Sequence, residues 1–351
     1  MKEKVLLALS GGVDSSVAAI LLQNSGYEVV AATIKMHDFS ESSINDAKKI
    51  CDQLNIQHIV IDAKQKFYEI VMQNFYDEYM LGKTPNPCVL CNYKLKWQSM
   101  IDKANELKIE KIATGHYAFI KYYENLKRFS IIKSKDETKD QTYVLWRLPQ
   151  NFLVRTIFPL SDIATKAEIR KIAYENNLPS FDKDDSQDIC FIPDNDYRKF
   201  LKEFNAKNDL PTIGDIILDN KKVGAHSGYY NYTIGQRRGL GVSHACPLYV
   251  KEILPEKNQI IVAEEKDLYN KGLIASHINL LKYTKETFPE KEFLVKIRYK
   301  DNGKLAKCKI IDEKLEIIFA EPRKSVTLGQ SAVLYDNNEL IGGGIIEQVI
   351  E

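Results

Sequence analysis

A short apolar run, a glycine turn and a helical run open this chain, and together they constrain its fold more than any later segment. "KVLLALS" (Lys4–Ser10) reads as a short buried strand. "DSSVAAILLQNSG" (Asp14–Gly26) reads as a helix, with apolar residues at helical spacing and a glycine stop. "EVVAATIKM" (Glu28–Met36) is β-rich again. A polar helix over about Ile44–Leu54 leads to a third strand, "HIVID" (His58–Asp62), and "KIATGHY" (Lys111–Tyr117) reads as a fourth strand ending in a turn. Strands alternating with helices predict an α/β domain with a parallel sheet covered on both faces. Ligands of such sheets bind beyond the carboxyl ends of the strands. Ser10–Ser16, Met36 and the pair Gly115–His116 all fall at such ends, so independent signals converge on one edge of the sheet.

In "SGGVDSS", Gly11 and Gly12 permit a tight backbone whose N–H groups point inward, and the helix N-terminus adds partial positive charge. Ser10, Ser15 and Ser16 add hydroxyl donors, and Asp14 is a candidate to hold Mg2+ against phosphate oxygens. No Gly-Lys-Ser/Thr follows, so this is not a Walker A loop, and the G-x-G-x-x-G pattern is missing too. The full string S-G-G-x-D-S-S resembles the PP-loop of ATP pyrophosphatases. That resemblance implies ATP bound by Ser10, Gly11, Gly12, Val13, Asp14, Ser15 and Ser16. It also implies cleavage between the α- and β-phosphates and transfer of AMP to a substrate oxygen. Such adenylation calls for a nucleophile to displace the AMP.

The helix-and-strand texture runs to about Phe200, with a capping-box signature at Thr165 and Glu168. From "GDIILDNKKVGAHSGYYNYTIGQRRGLG" onward glycine is frequent and helical periodicity is lost. From about Leu273, turn-separated alternating segments predict a small β-barrel or sandwich. The expected organisation is a PP-loop catalytic domain over 1–202, a small central domain over 203–270 and a C-terminal β-barrel over 271–351. A length of 351 residues suits two or three domains, and the net charge of +1 neither supports nor excludes a nucleic-acid partner.

No apolar run approaches the length needed to cross a bilayer, and the first residues do not read as a signal peptide. A cytoplasmic protein with reduced thiols is expected. Of the six cysteines, Cys51, Cys246 and Cys308 read as core or bystander residues. Cys88 and Cys91 stand in "TPNPCVLCN" as C-x-x-C, behind Pro85 and Pro87, which fix the approach and deny helix up to the second thiol. Cys190 lies among carboxylates in "DDSQDICFIPD". A disulfide, a zinc knuckle, a redox pair and a site completed from elsewhere all remain open on spacing alone. The reducing compartment favours metal binding or catalysis.

The ordered set "SGGVDSSVAA", "GKTPNPCVLCN", "ATGHYA", "KDQTYVL", "DSQDICFIP", "YYNYTIGQRRGLG", "VKIRYK" and "LGQSAVLYD" resembles the tRNA-specific 2-thiouridylase family over essentially the whole chain. The resemblance implies replacement of the C2 oxygen of the wobble uridine by sulfur. A donor protein, such as a cysteine desulfurase or relay protein, would load a persulfide on Cys190. Cys91 would help release that sulfur and end in a disulfide with its partner. Met36 and Gly115 would lie near the adenosine, and Asn86 and Pro87 beside the target base. His116, Lys139, Asp140, Gln141, Arg298, Tyr299 and Gln330 would meet tRNA. Better-known members have aspartate where this chain has Cys88, and a thiol is a poor replacement for a carboxylate in acid–base work. Three thiols, Cys88, Cys91 and Cys190, are the ligand set for a [4Fe–4S] cluster with one open iron that could hold a hydrosulfide, an arrangement that other PP-loop thiolation enzymes resemble, and this variant is expected to carry such a cluster; a persulfide relay without cluster and a zinc site are the alternatives.

Read on their own, the tyrosines and arginines of "YYNYTIGQRRGLG" and the basic "KIRYK" fit stacking on unpaired bases and phosphate contact. Asp140 reads equally as a helix N-cap, Trp146 as a core anchor, and His116 as a satisfied polar residue. The competing functions are a PP-loop adenylating ligase or amidotransferase acting on a small molecule, and a non-enzymatic RNA-binding protein with a structural metal site.

Overall fold

The computed structural model describes residues 2–163, 165–181, 189–204 and 210–351. Residues 184–188, which precede Cys190 in the segment singled out above, lie outside the described residues.

β1 (Lys4–Ala8) is covered on both faces, as its unbroken apolar run requires. Leu6 points into one core with Val30, Ala32 and Ile112, whereas Val5 and Leu7 point into the other with Val29, Ala31 and Ala113. β2 (Glu28–Lys35) and β3 (Gln57–Asp62) extend the sheet on one side of β1, and β4 (Lys111–Thr114) pairs on its other side. A hairpin, β5 (Ala118–Tyr123) and β6 (Arg128–Lys133), intervenes before β7 (Thr156–Ile157) completes the parallel order β3-β2-β1-β4-β7. The order reverses between β1 and β4, the place where open α/β sheets form their ligand crevice. The loops after both strands therefore face one another.

The helix Glu41–Leu54 begins earlier than its periodicity indicated and carries Ala47, Ile50 and Cys51 into the core. Thr165 caps the helix Lys166–Glu175, accepting the Glu168 N–H at 3.2 Å. No helix among the described residues is long and apolar enough to cross a membrane.

β8 (Gly214–Leu218), β9 (Lys221–His226), β10 (Leu248–Leu254) and β11 (Gln259–Glu264) form a separate sheet in the order β10-β11-β8-β9. Tyr229, Tyr230 and Tyr232 are buried in the core beneath it, and the Tyr229 hydroxyl donates to the Met80 carbonyl at 2.7 Å. They are packing residues and do not offer faces to bases, which corrects the stacking reading; Arg237 and Arg238 of the same stretch are exposed.

β12 (Tyr269–Leu280), β13 (Lys291–Lys296), β14 (Lys304–Ile311), β15 (Lys314–Lys324), β16 (Ser331–Asp336) and β17 (Glu339–Ile350) follow. Pairing of β12 with β17 closes these six into a barrel, which decides between barrel and sandwich. The hairpin β5–β6 joins this barrel sheet, with Leu340 opposite Ile131 and Glu339 opposite Ile132. One core accordingly runs from Leu6 and Ile112 through Tyr143 and Trp146 to Val333, Tyr335 and Leu340.

Candidate active site

The chain leaves β1 through Gly11 at φ +77°, where an added Cβ would stand 2.6 Å from the Ser43 carbonyl oxygen; only glycine fits. Gly12 N-caps the helix Val13–Asn24 without a side-chain hydrogen bond, so an anion is a natural partner for the N–H groups of the first turn. The serine hydroxyls shape the loop itself. Ser15 and Ser16 donate to the Gly12 carbonyl at 3.0 and 2.8 Å, and Ser10 Oγ lies 3.1 Å from Ser15 Oγ. Gly115 closes the crevice from β4: a Cβ there would meet the Ser15 nitrogen at 3.0 Å.

Asp14 is tied to two groups that sequence reasoning missed. The Tyr117 hydroxyl and the Lys166 ammonium both donate to Asp14 Oδ1, each at 2.6 Å. Tyr117 also donates its backbone N–H to Gln141 Oε1 at 3.0 Å, connecting the glycine loop to the segment that follows the hairpin. Capping signals pointed to Thr165, and Lys166 is the next residue.

Met36, just beyond β2, lies with its sulfur 3.9 Å from Cys91 Sγ. The nucleotide-loop edge and the thiols thus touch. Asn86 caps the helix Pro87–Cys91 by accepting the Val89 N–H at 3.4 Å; Pro87 fits its first position, so the prolines start a helix that already contains Cys88 instead of denying one up to Cys91. Cys88 is exposed and Cys91 is buried. From Asn92 to Trp97 the helix widens into a π turn. In α-helical geometry Lys96 would stand about 140° round the axis from Cys91. The i→i+5 turn instead brings it back over the cysteine face.

Cys190 comes to the same place from the opposite direction, because Phe191 packs on Phe67 and Phe75 in the core that holds Cys91 and Leu95. Burial pushes the Cys91 thiol up to about 12, with Lys96 opposing and Cys190 and Cys88 adding to the rise. Desolvation also raises Cys88 and Cys190, again against Lys96. Burial works against the Lys96 ammonium, yet Cys91, Cys88 and Cys190 together hold its pKa above the ordinary lysine value. All six cysteines are free thiols.

The three-thiolate metal site expected from these cysteines is not supported by the arrangement of the described residues. Among the described residues no three Cys, His, Asp or Glu side chains stand where one metal ion would join them. Among the described residues, Lys96 is a positive group that acts on all three thiols.

Of the residues expected at tRNA, Asp140, Tyr299 and Gln330 also make contacts between the first domain and the barrel. Asp140 accepts from the Thr142 N–H at 2.9 Å and faces Lys296 at 3.8 Å, but it is not the expected helix N-cap: Gln141 precedes the single 3-10 turn Thr142–Leu145. Lys139 ends the neighbouring turn Glu137–Lys139. Arg298 donates to the Ser325 carbonyl at 2.6 Å, and the Tyr299 hydroxyl to the Asp140 carbonyl at 3.4 Å. Tyr299 also senses Cys88: desolvation raises its pKa first, and Asp140 and Cys88 add to that. Gln330 donates to the Thr84 carbonyl at 2.8 Å. His116 sits between Thr114, whose hydroxyl is 2.9 Å from Nδ1, and the Trp97 ring at 5.2 Å. Burial, with Lys96 adding, lowers its pKa to about 3, so the ring is neutral at ordinary pH.

Family profiles match the chain in three consecutive pieces: a tRNA methyl transferase HUP domain over residues 3–194, a tRNA methyl transferase PRC-barrel domain over 198–264, and an aminomethyltransferase β-barrel domain over 270–346. A tRNA-specific 2-thiouridylase MnmA of Salinibacter ruber is 43% identical, covering 99% of this chain and 95% of the relative. The chain belongs to the tRNA-specific 2-thiouridylase family. Relatives of the same name from Carboxydothermus hydrogenoformans (41% identical, 99% of this chain and 98% of the relative) and Caldicellulosiruptor saccharolyticus (42%, both chains in full) span it equally.

Proposed function

We propose that this chain catalyses the ATP-dependent 2-thiolation of the wobble uridine of tRNA in the cytoplasm. The observation that carries this reading is the contact of Met36 with Cys91, which sets the thiols against the edge of the sheet where the glycine loop lies. The profile descriptions name methyl transfer, but a loop suited to phosphates beside three thiols supports sulfur transfer.

In this reading the triphosphate lies on Ser10–Ser16, closed over by Gly115, with Met36 toward the adenosine. Mg2+ would neutralise phosphate charge and would share Asp14 with Lys166, the nucleotide supplying further oxygens. The uridine enters beside Asn86 and Pro87. Its C2 oxygen attacks the α-phosphorus and pyrophosphate leaves. Sulfur delivered by a cysteine desulfurase or relay protein waits as a persulfide on Cys190. Cys91 attacks the inner sulfur of that persulfide, forming a Cys91–Cys190 disulfide and freeing hydrosulfide, which adds at C2 and displaces AMP. An external thiol then reduces the disulfide. Cys88 and Lys96 flank this step, and Lys139, Asp140, Gln141, Arg298, Tyr299 and His116 line the approach of the RNA.

No step of this reading runs through an iron–sulfur cluster, because the arrangement of the described thiols does not support one. Iron and labile-sulfide assays on anaerobically purified protein test that point: stoichiometric iron required for turnover would replace the persulfide with a cluster. The activity itself is tested by mass spectrometry of tRNA after reaction with the wild type, Cys91→Ser and Cys190→Ser. The expected result is 2-thiouridine from the wild type only, dependent on ATP. Pyrophosphate release that ignores RNA would favour a small-molecule ligase, and RNA binding without ATP turnover a binding protein.

A further inference from the structure

Cys88 and Cys91 lie in the first turns of a helix that continues without a break through the π turn to Glu106, and Leu95, Trp97 and Met100 bury its later turns. Where its N-terminal end stands also depends on the segment that feeds it. That segment is gripped by one turn of the barrel. The Thr84 N–H donates to the Leu328 carbonyl at 2.9 Å. Gln330 Nε2 donates to the Thr84 carbonyl at 2.8 Å and to the Pro85 carbonyl at 3.4 Å. Both acceptors are carbonyls, so only the NH2 side of this amide fits there. Gly329, at φ +85°, lies so close that an added Cβ would be 3.0 Å from Lys83 Cβ and 3.2 Å from the Thr84 nitrogen.

The turn is itself fixed from the other side. Arg298 donates to the Ser325 carbonyl at 2.6 Å and to Thr327 Oγ1 at 3.4 Å. Gly235 of the central domain packs on Ser325, with room for no more than a hydrogen. Ile346 donates its N–H to the Gln330 carbonyl at 2.8 Å. Gln330 is thus a rigidly seated donor aimed at Thr84 and Pro85, and Asn86, the cap of the cysteine helix, is the next residue.

We propose that Gln330 is a positioning residue for the thiols: by holding Thr84 and Pro85 it sets where Cys88 and Cys91 stand before any RNA arrives. Its consequence for turnover rests on the thiolation reading above; its consequence for the thiols does not. A residue that served only to touch tRNA would act on RNA affinity and leave the free protein unchanged.

The test uses the full chain and the variants Gln330→Ala and Gln330→Glu, the latter presenting oxygens to two carbonyls. Iodoacetamide labelling of Cys88 and Cys91, followed by peptide mass spectrometry without ATP or tRNA, is expected to quicken about fivefold in both, the shift that one lost hydrogen bond allows. Labelling of the exposed Cys246 serves as the control and stays unchanged. In thiolation assays kcat falls by about tenfold while KM for tRNA stays within about twofold. Gly329→Ala, which pushes the turn off Thr84 by another route, gives the same labelling result and replaces the Gln330 variants if those fail to fold. Unchanged labelling of Cys88 and Cys91, with a raised KM for tRNA, overturns the proposal. A wild type that makes no 2-thiouridine overturns the functional reading, and the labelling result still decides the role of Gln330.

Discussion

Lys166 Nζ and Asp14 Oδ1 lie 2.6 Å apart in a partly buried pair, side chains 14% and 28% exposed, at the mouth of the glycine loop. An ammonium beside the carboxylate keeps the loop from presenting net negative charge to a triphosphate. Lys166→Met is expected to raise KM for ATP by about tenfold, and Lys166→Arg to restore most of it. Titration of initial rates against ATP checks this. An unchanged KM would mean that the pair only anchors the helix Lys166–Glu175.

Two glycines of the crevice separate folding from binding. Gly11→Ala meets both a positive φ and the Ser43 carbonyl at 2.6 Å, and is expected to lower thermal stability by about 2 kcal/mol or more. Gly115→Ala meets no positive φ but presses on the backbone of Asp14 and Ser15, the Ser15 nitrogen at 3.0 Å. It is expected to cost less stability than Gly11→Ala and to weaken ATP binding. Calorimetric melting and nucleotide titration of both variants distinguish these outcomes.

His116 makes stability pH-dependent. Its folded pKa, about 3, lies below the reference 6.5, so the neutral ring contributes stability that is full above pH 6.5 and is lost as pH falls toward 3. Each pKa unit corresponds to about 1.4 kcal/mol. His116→Gln, which gains no proton, is expected to flatten the loss between pH 6.5 and 4 in denaturant melts. An acid limb identical to the wild type's would show that the ring is protonated in the fold.

Lys96 lowers the pKa of each of the three thiols that burial raises. In Lys96→Met the pH at which Cys88 and Cys190 begin to alkylate should therefore move up by about one unit, and in Lys96→Arg it should move little. Labelling rates measured between pH 7 and 10 check the direction. A downward shift would place the ammonium elsewhere.

What could be read from the sequence was local. Gly11 needs its conformation whatever else the chain does, and the alternation at Leu6 and Leu7 needs two covered faces, so sheet and loop were legible. The burial of Tyr229, Tyr230 and Tyr232 was not, because composition does not say which way an aromatic ring faces. "KIRYK" reads as a strand by pattern, yet the strand stops at Lys296, where the next N–H, that of Ile297, turns to Asp301 Oδ2 at 2.9 Å. Lys96 escaped notice because the π turn shifts its phase relative to Cys91. The partners of Arg298 and Gln330 lie on distant segments, and only the closed barrel brings them into reach.

The hairpin that crosses from the first domain into the barrel sheet has a consequence for how this enzyme can move. Because β6 is hydrogen-bonded to β17 while the barrel turn grips Thr84, the barrel is not a detachable module. A chain cut before residue 270 would leave β6 as a bare edge prone to pairing with other copies. Any opening wide enough to admit an RNA must carry the hairpin along with the barrel, hinging in the segments that join it to the parallel sheet.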